Sequence, residues 1–427
     1  YLKKPFTNEE LSQTLKIAAH WNISMLLDRA ARKYLKLKTL WCASALAETW
    51  VHPKRGYHNA RGGKMNTPWK YVGLDVHKES IAVAVFGPQG HEPEAEFEIP
   101  NDSGKIKKLF SKWPADRLKV CYEAGPCGFV LYRQLREMDI DVRVVAPGKI
   151  HRAPTDRIKT DKRDARLLGS MLRGDMLTAI HVPTEQDESI RDYLRARTDL
   201  RGELNRNRLR LLHFLLRKGH KFPGKAWTQK FNQWLNAIEW KDDLLKATAD
   251  CYRFKIQTLQ SDLHEMDQKI KELSLTGKHA STVARLRCLR GIDTLTAMNL
   301  VAEIGDFRRF SNAGSFMSFL GLVPGEHSSG NSRRQTGITK TGNSQLRRLM
   351  IEAAWHARFA GPASLRLRER RQNQPPELVA YAERAQKRLN KKYVKMLNRK
   401  KAPQIAATAV AREMAGFIWG IATSEAA

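Results

Sequence analysis

Apolar residues alternate with polar or small ones over several short stretches after residue 70. Tyr71-Val72-Gly73-Leu74-Asp75-Val76 reads as a strand. Ser80–Phe86 reads as the next, closed by Gly87-Pro88, and residues 91–99 as a weaker third. Over 103–113 the spacing of Ile106, Leu109 and Phe110 switches to the helical period. Leu118–Glu123 is a fourth strand, stopped by Ala124-Gly125-Pro126. A helix over 129–138, a fifth strand over 142–146, a basic loop and a helix entered at Asp161 complete the order βββαβαβα.

That order is the one of the ribonuclease H fold. The pattern then becomes helical. Pro183-Thr184-Glu185 opens a long polar helix in which Tyr193, Leu200, Leu204, Leu211 and Phe214 fall near heptad positions. A second helix is expected from about Cys251. Its residues Ile256, Leu259, Leu263, Met266, Ile270 and Leu273 alternate spacings of three and four, a coiled-coil seam that requires a partner helix, within the chain or on another subunit. A Trp-rich segment, Trp227 to Trp240, lies between them. The fold class expected is α/β plus α, with a helical coiled-coil middle and a mainly helical C-terminal part. The divisions are 1–64, 65–182, 183–282, 283–360 and a basic helical tail over 361–427. Residues 1–64 carry no motif, and order begins abruptly after Met65. They are either a small helical domain or, the reading favoured by that abrupt onset, an extension of upstream sequence translated in frame, with Met65 as the natural start.

Charge narrows the partner. The 427 residues carry 75 Lys and Arg against 44 Asp and Glu, a formal net charge of +31. Such an excess must be matched by a polyanion or tolerated as self-repulsion, and nucleic acid is the partner expected. No apolar run is expected to span a bilayer. Cys42, Cys121, Cys127, Cys251 and Cys288 are scattered and form no CxxC pair, which argues for a reducing, cytoplasmic setting and against a zinc site.

Within the strand-and-helix pattern, Asp75 lies on the first strand and Glu123 ends the fourth. Asp161 and Asp164, three residues apart, share one face of the helix that follows. Taken singly each has a plain reading: a turn cap, a solvated strand end, and a surface helix salt-bridged by Lys159, Lys162, Arg163 and Arg166. In a ribonuclease H fold, however, the first and fourth strands are neighbours and the last helix packs over their ends. Four converging carboxylates need divalent cations, and hard oxygen ligands suit Mg²⁺. Such a site can align a scissile phosphate.

Further on, Leu289-Arg290-Gly291-Ile292-Asp293 resembles a helix-hairpin-helix turn, whose backbone N–H groups can meet a phosphate. Next comes the polar loop Gly325-Glu326-His327-Ser328-Ser329-Gly330-Asn331. Arg333, Arg334, Lys340, Arg347 and Arg348 follow, and are candidate nucleic-acid contacts. A serine among cations can attack a phosphodiester, although a Ser/Gly turn is the commoner use of these residues.

Three motifs together, Gly73-Leu74-Asp75-Val76-His77-Lys78, Tyr122-Glu123-Ala124-Gly125 and Thr160-Asp161-Lys162-Arg163-Asp164-Ala165, resemble the DEDD transposases of bacterial insertion sequences. These form the group called IS one-ten, including its eleven-eleven branch. The C-terminal pattern of that family is matched by Gly321-Leu322-Val323-Pro324, Ser329-Gly330, Lys340-Thr341-Gly342 and Leu346-Arg347. The resemblance implies a RuvC-like domain binding Mg²⁺ through Asp75, Glu123, Asp161 and Asp164. It also implies a nucleophilic serine that maps to Ser329, with Ser328 adjacent. DNA at the element ends and target, a structured guide RNA that bridges them, and a homo-oligomer, dimer or tetramer, with sites shared between subunits are implied as well. The alternatives are a Mg²⁺-dependent junction endonuclease without serine chemistry, a sugar kinase or actin-like ATPase, and a non-catalytic nucleic-acid binder. The kinase reading lacks the glycine-rich phosphate loops it requires.

Overall fold

The computed structural model describes residues 68–151, 160–329 and 332–424. The expected extension 1–64, Met65, Lys159 and Gly330-Asn331 lie outside the described residues. The first structured element is a mixed five-stranded sheet of order β3-β2-β1-β4-β5. Its strands are β1 (Lys70–Val76), β2 (Ser80–Phe86), β3 (Ala95–Pro100), β4 (Leu118–Glu123) and β5 (Asp141–Val145). β1 runs antiparallel to β2, with Asp75 opposite Ala82, and parallel to β4, with Leu74 opposite Tyr122. The expected βββαβαβα order holds; the third strand starts later than the alternation suggests because 91–94 are taken up by the turn out of β2.

The two faces of the sheet follow the strand period. Val72, Leu74, Ile81, Val83, Val120, Tyr122, Val142 and Val144 form one face. They pack with Ile106, Leu109 and Phe110 of helix α1 (Ser103–Phe110) and Leu131 and Leu135 of α2 (Val130–Glu137). The opposite face, through Cys121, Val145, Ala82, Ala84 and Phe86, is covered by Ala165, Leu168, Met171 and Leu172 of α3 (Asp161–Arg173). Burying these residues is the main driving force for the layer arrangement, at about 1.5–3 kcal/mol for each large apolar side chain.

The chain divides into two compact units. One holds the residues up to Val182 together with Phe310–Arg347, the other Pro183–Arg309 together with residues from Arg348 onward. In the second unit α4 (Glu185–Arg217) and α6 (Asp243–Thr276) lie antiparallel, since Arg197 binds Asp267 bidentately near one end and Phe214 meets the Tyr252 ring near the other. Leu204, Leu211, Phe214 and Leu215 of α4 fill the seam offered by Ile256, Leu259 and Leu263. This part of the seam therefore pairs within the chain, the first of the two partners that the heptad left open. α6 also starts earlier than expected, at Asp243, because Asp242 caps it by accepting from the Leu245 amide at 2.9 Å. Between the long helices, α5 (Gln229–Asn236) places Phe231 and Leu235 in the same core, with Trp227, Trp234 and Phe222 around the Phe231 ring.

The rest of the second unit is built on α7 (Ala280–Leu286) and α8 (Thr294–Ile304). Helix α8 is buried from Thr296 to Ile304, as its nearly all-round apolar sequence requires. Its one charged residue, Glu303, accepts from Arg195 at 2.9 Å. In the first unit, helix α9 (Ala313–Phe319) precedes the serine segment, and α10 (Ser344–Ala354) follows it. After α11 (Leu365–Arg371) come α12 (Pro376–Asn398) and α13 (Pro403–Thr423). Contrary to expectation, α13 is long and apolar enough to cross a bilayer, yet Ala406, Val410, Met414 and Ile418 are buried in the fold and Lys392 of α12 binds Glu413 at 2.7 Å.

Candidate active site

Asp75 sits at the end of β1 and Glu123 at the end of β4. Each follows by one residue the Leu74–Tyr122 pair, so the two carboxylates leave adjacent parallel strands at the same level and toward the α3 face. A glycine pair lets α3 come close enough to join them. A Cβ on Gly73 would lie 2.2 Å from the Ala165 carbonyl oxygen and 2.3 Å from the Gly169 amide nitrogen. Thr160 caps the helix, its hydroxyl accepting from the Arg163 amide, which fixes the first turn that carries Asp161 and Asp164.

The structure brings Asp75 and Asp161 together and adds a residue that the sequence reading had quoted only as part of a motif. The Nε2 of His77 lies 3.4 Å from Asp75 Oδ2 and 3.4 Å from Asp161 Oδ1. One ligand atom from each of the three lies within 4.8 Å of the others. Among the described residues this is the one such grouping, and Glu123 and Asp164 are not within it. Glu123 is half-buried at its strand end, and Asp164 is buried, one helical turn from Asp161. The signal for His77 was its spacing: two residues past Asp75, it lies just beyond the strand end.

The donor set fits a divalent cation. Two carboxylates and an imidazole nitrogen are ligands such an ion accepts, and Asp161 faces solvent, leaving room for substrate. The cations flanking Asp161 do not all neutralise it. Arg166 turns away to β3, where it grips Glu96 through two bonds of 2.7 and 2.8 Å, and its hydrogen bonds hold the Glu96 carboxyl below the usual range.

The serine segment is not a loop but a hairpin. β6 (Pro324–Ser329) pairs antiparallel with β7 (Ser332–Ile338), with Ser329 opposite Ser332, Ser328 opposite Arg333 and His327 opposite Arg334. Its strands are exposed on both faces near the tip, so no apolar alternation marked them in sequence. Ser329 ends β6 at the exposed tip, while the Ser328 hydroxyl donates to Glu326 at 2.8 Å. Arg334 and Lys340 are exposed. Arg348 is exposed too and pairs with Glu352 at 3.0 Å. Arg347 is engaged within the protein. Its Nη1 donates to the Leu320 and Thr341 carbonyls at 3.2 and 2.9 Å, and burial lowers its pKa. It thereby ties together the two ends of the segment that carries the hairpin. Gly321 makes this closure by taking φ +62°, where a Cβ would strike the Thr341 oxygen.

The Gly291 turn is packed rather than open. Gly291 takes φ +92° against the Ala353 carbonyl, Asp293 already fills the α8 N-terminus by accepting from Thr296, and Arg290 donates to the carbonyls of Phe359, Gly361 and Pro362.

Residues 72–219 match the family described as Transposase, the DEDD transposase of IS110, and residues 283–368 match the Transposase IS116/IS110/IS902 family. The chain is 39% identical over 330 residues to a transposase for insertion sequence element IS1533 from Leptospira borgpetersenii, covering 76% of this chain and 95% of that protein. It is 38% identical over 359 residues to a putative transposase, y4qE, of Sinorhizobium fredii, covering 82% and 88%. A transposase for element IS1111A from Coxiella burnetii is 25% identical over 251 residues, covering 56% of this chain and 66% of that protein.

Proposed function

The chain belongs to the IS110/IS116/IS902 family of insertion-sequence transposases, DNA-cleaving and rejoining enzymes, and on that premise we propose that it cuts DNA with a serine nucleophile and a carboxylate-held metal. The single observation that carries this reading is the meeting of Asp75 and Asp161, far apart in sequence, at the C-terminal end of the central strand of the sheet. The DEDD domain points to a divalent metal, and Mg²⁺ is the ion proposed. When bound, the ion supplies Lewis-acid polarisation of the scissile phosphate. Asp75 and Asp161 hold it, Glu123 and Asp164 complete the acidic wall, and Thr160 fixes the helix turn that aims them.

Ser329 is the proposed nucleophile. Its Oγ forms a bond to phosphorus as the bond from phosphorus to a deoxyribose oxygen breaks. The serine proton is lost and the departing oxygen gains one. Rejoining reverses these steps, so the energy of the phosphodiester is kept. Arg333, Arg334 and Lys340 offset charge at phosphorus, the exposure of Arg334 and Lys340 on the serine hairpin and just past it supporting that role. The exposed hairpin tip supports Ser329 over Ser328, whose hydroxyl is engaged by Glu326. A guide RNA and a homo-oligomer with shared sites belong to the same proposal and rest on family resemblance.

The test uses the full chain with element-end DNA and RNA transcribed from the element's non-coding end. A protein–DNA adduct resistant to denaturant is expected in the wild type and in Ser328→Ala, and is expected to vanish in Ser329→Ala and Asp161→Asn. An adduct that persists in Ser329→Ala refutes the serine. Cleavage without any adduct, unaffected by Ser329→Ala, favours the junction-endonuclease alternative. Family membership leaves the kinase alternative without support.

A further inference from the structure

The acidic wall is assigned to oxygen ligands, yet the group at its centre is a nitrogen. The His77 ring meets Asp75 and Asp161 at equal distances of 3.4 Å. In an octahedral shell with bonds of about 2.1 Å, neighbouring ligand atoms are roughly 3 Å apart. The two distances from the ring to the carboxylates therefore already stand within a few tenths of an ångström of the spacing of one coordination shell, and the carboxylates lie within 4.8 Å of each other.

The position of His77 is fixed by its backbone. Its N–H donates to the Ser80 carbonyl at 2.9 Å, closing the turn between β1 and β2. Its carbonyl accepts from the Asn101 side chain at 2.8 Å, and the Asn101 amide in turn donates to Glu79 at 3.0 Å. The end of β3 thus clamps the turn, and the ring is presented over the acidic wall while remaining half exposed. The turn is thus held from two sides, with the ring between two carboxylates.

We propose that His77 is a direct nitrogen ligand of the cation held by Asp75 and Asp161, and that it shifts the preference of the site from Mg²⁺ toward Mn²⁺. The inference rests on the metal-site reading above. Its chemistry is that of donor type. Mg²⁺ is a hard ion that favours oxygen and gains little from imidazole; first-row transition ions gain more from it, and Mn²⁺ is the one among them that also suits a mainly carboxylate site. A carboxylate wall with one imidazole therefore discriminates between two ions of similar charge and size.

The experiment titrates the metal-free full-length protein with Mn²⁺ and with Mg²⁺ by calorimetry, and examines the Mn²⁺ form by electron spin-echo spectroscopy for ¹⁴N coupling. The wild type is expected to show histidine ¹⁴N modulation and tighter binding of Mn²⁺ than of Mg²⁺. His77→Ala is expected to lose the modulation and to bind Mn²⁺ at least tenfold more weakly, the loss that even an outer partner of a metal site causes, with a smaller change for Mg²⁺. His77→Gln, which keeps an oxygen donor at the position, covers the case that the alanine variant misfolds: it should lose the modulation and retain Mg²⁺. Mn²⁺ bound in the wild type without ¹⁴N coupling, or with coupling that survives both substitutions, overturns the role of His77 while leaving the carboxylate site standing. Absence of stoichiometric binding of either ion to wild type, with no difference from Asp161→Asn, overturns the metal-site reading and this inference with it.

Discussion

Gly73 and Gly169 stand backbone to backbone: a Cβ on Gly73 would lie 2.3 Å from the Gly169 amide nitrogen, and one on Gly169 would lie 2.6 Å from the Phe86 ring and 3.2 Å from the Gly73 nitrogen. Backbone cannot yield as a flexible side chain can, so Gly73→Ala must push α3 off the sheet. Overpacking of this kind costs about 1–3 kcal/mol or more. The expected outcome is a lower melting temperature together with weaker divalent-metal binding, because Asp161 moves with the helix. A Gly73→Ala protein that melts and binds metal like wild type would show that the close approach does not set the site.

The filled α4–α6 seam makes a prediction about assembly. Leu259 is 2% exposed and packed by the same chain. Leu259→Ala should destabilise by about 2–5 kcal/mol, while sedimentation at fixed concentration gives the wild-type oligomeric state. A variant that dissociates without losing thermal stability would return the seam to the subunit interface.

Acid should weaken the second unit at Asp187. Burial raises the pKa of this carboxyl, but hydrogen bonds from Lys278 at 2.7 Å, His279 at 2.6 Å and Thr184 outweigh it, and the net shift is downward. A depressed folded pKa contributes stability that is present above the unfolded value, about 3.9, and is lost as pH falls through the lower folded value. Denaturation followed from pH 6 to pH 2 should show a steeper acid limb in wild type than in Asp187→Asn. Parallel limbs would remove Asp187 from the account.

Arg347 and Arg334 separate support from DNA contact. Arg347→Lys keeps the charge but shortens the reach by which the guanidinium Nη1 joins Leu320 to Thr341. Hydrogen bonds from a charged donor are worth about 1.5–3 kcal/mol, so the melting temperature should fall while the salt dependence of DNA binding stays. Arg334→Ala should do the reverse, reducing the slope of log affinity against log salt by roughly one. Equal salt effects from both would assign Arg347 to the DNA.

The sheet was legible because its strands alternate and end at Gly-Pro or Ala-Gly-Pro, and because Asp75 and Glu123 occupy matching places in that alternation. Asp161 and Asp164 were legible from helical spacing. His77 was not: it lies in a turn, where neither period constrains a side chain, and its meeting with Asp161 depends on how closely α3 approaches. The β6–β7 hairpin was hidden for another reason. Its strands bury little, so only their mutual hydrogen bonds define them. Arg347 looked like its neighbours Arg334 and Arg348 because charge is visible in a sequence and the carbonyls that consume it are not. The seam was visible, but a heptad does not name its partner.

The parallel pairing of β1 with β4, and the helix that covers it, also order events during synthesis. β1, β2 and β3 form a local meander that can pair as it emerges, whereas the β1–β4 ladder waits for α1, and α3 waits for β5. A nascent chain halted before Thr160 has the strand carboxylates and His77 but no helix to complete the wall. Under the proposed chemistry such a product cannot cut, because the acidic wall is complete only when the ribosome has moved well past the sheet.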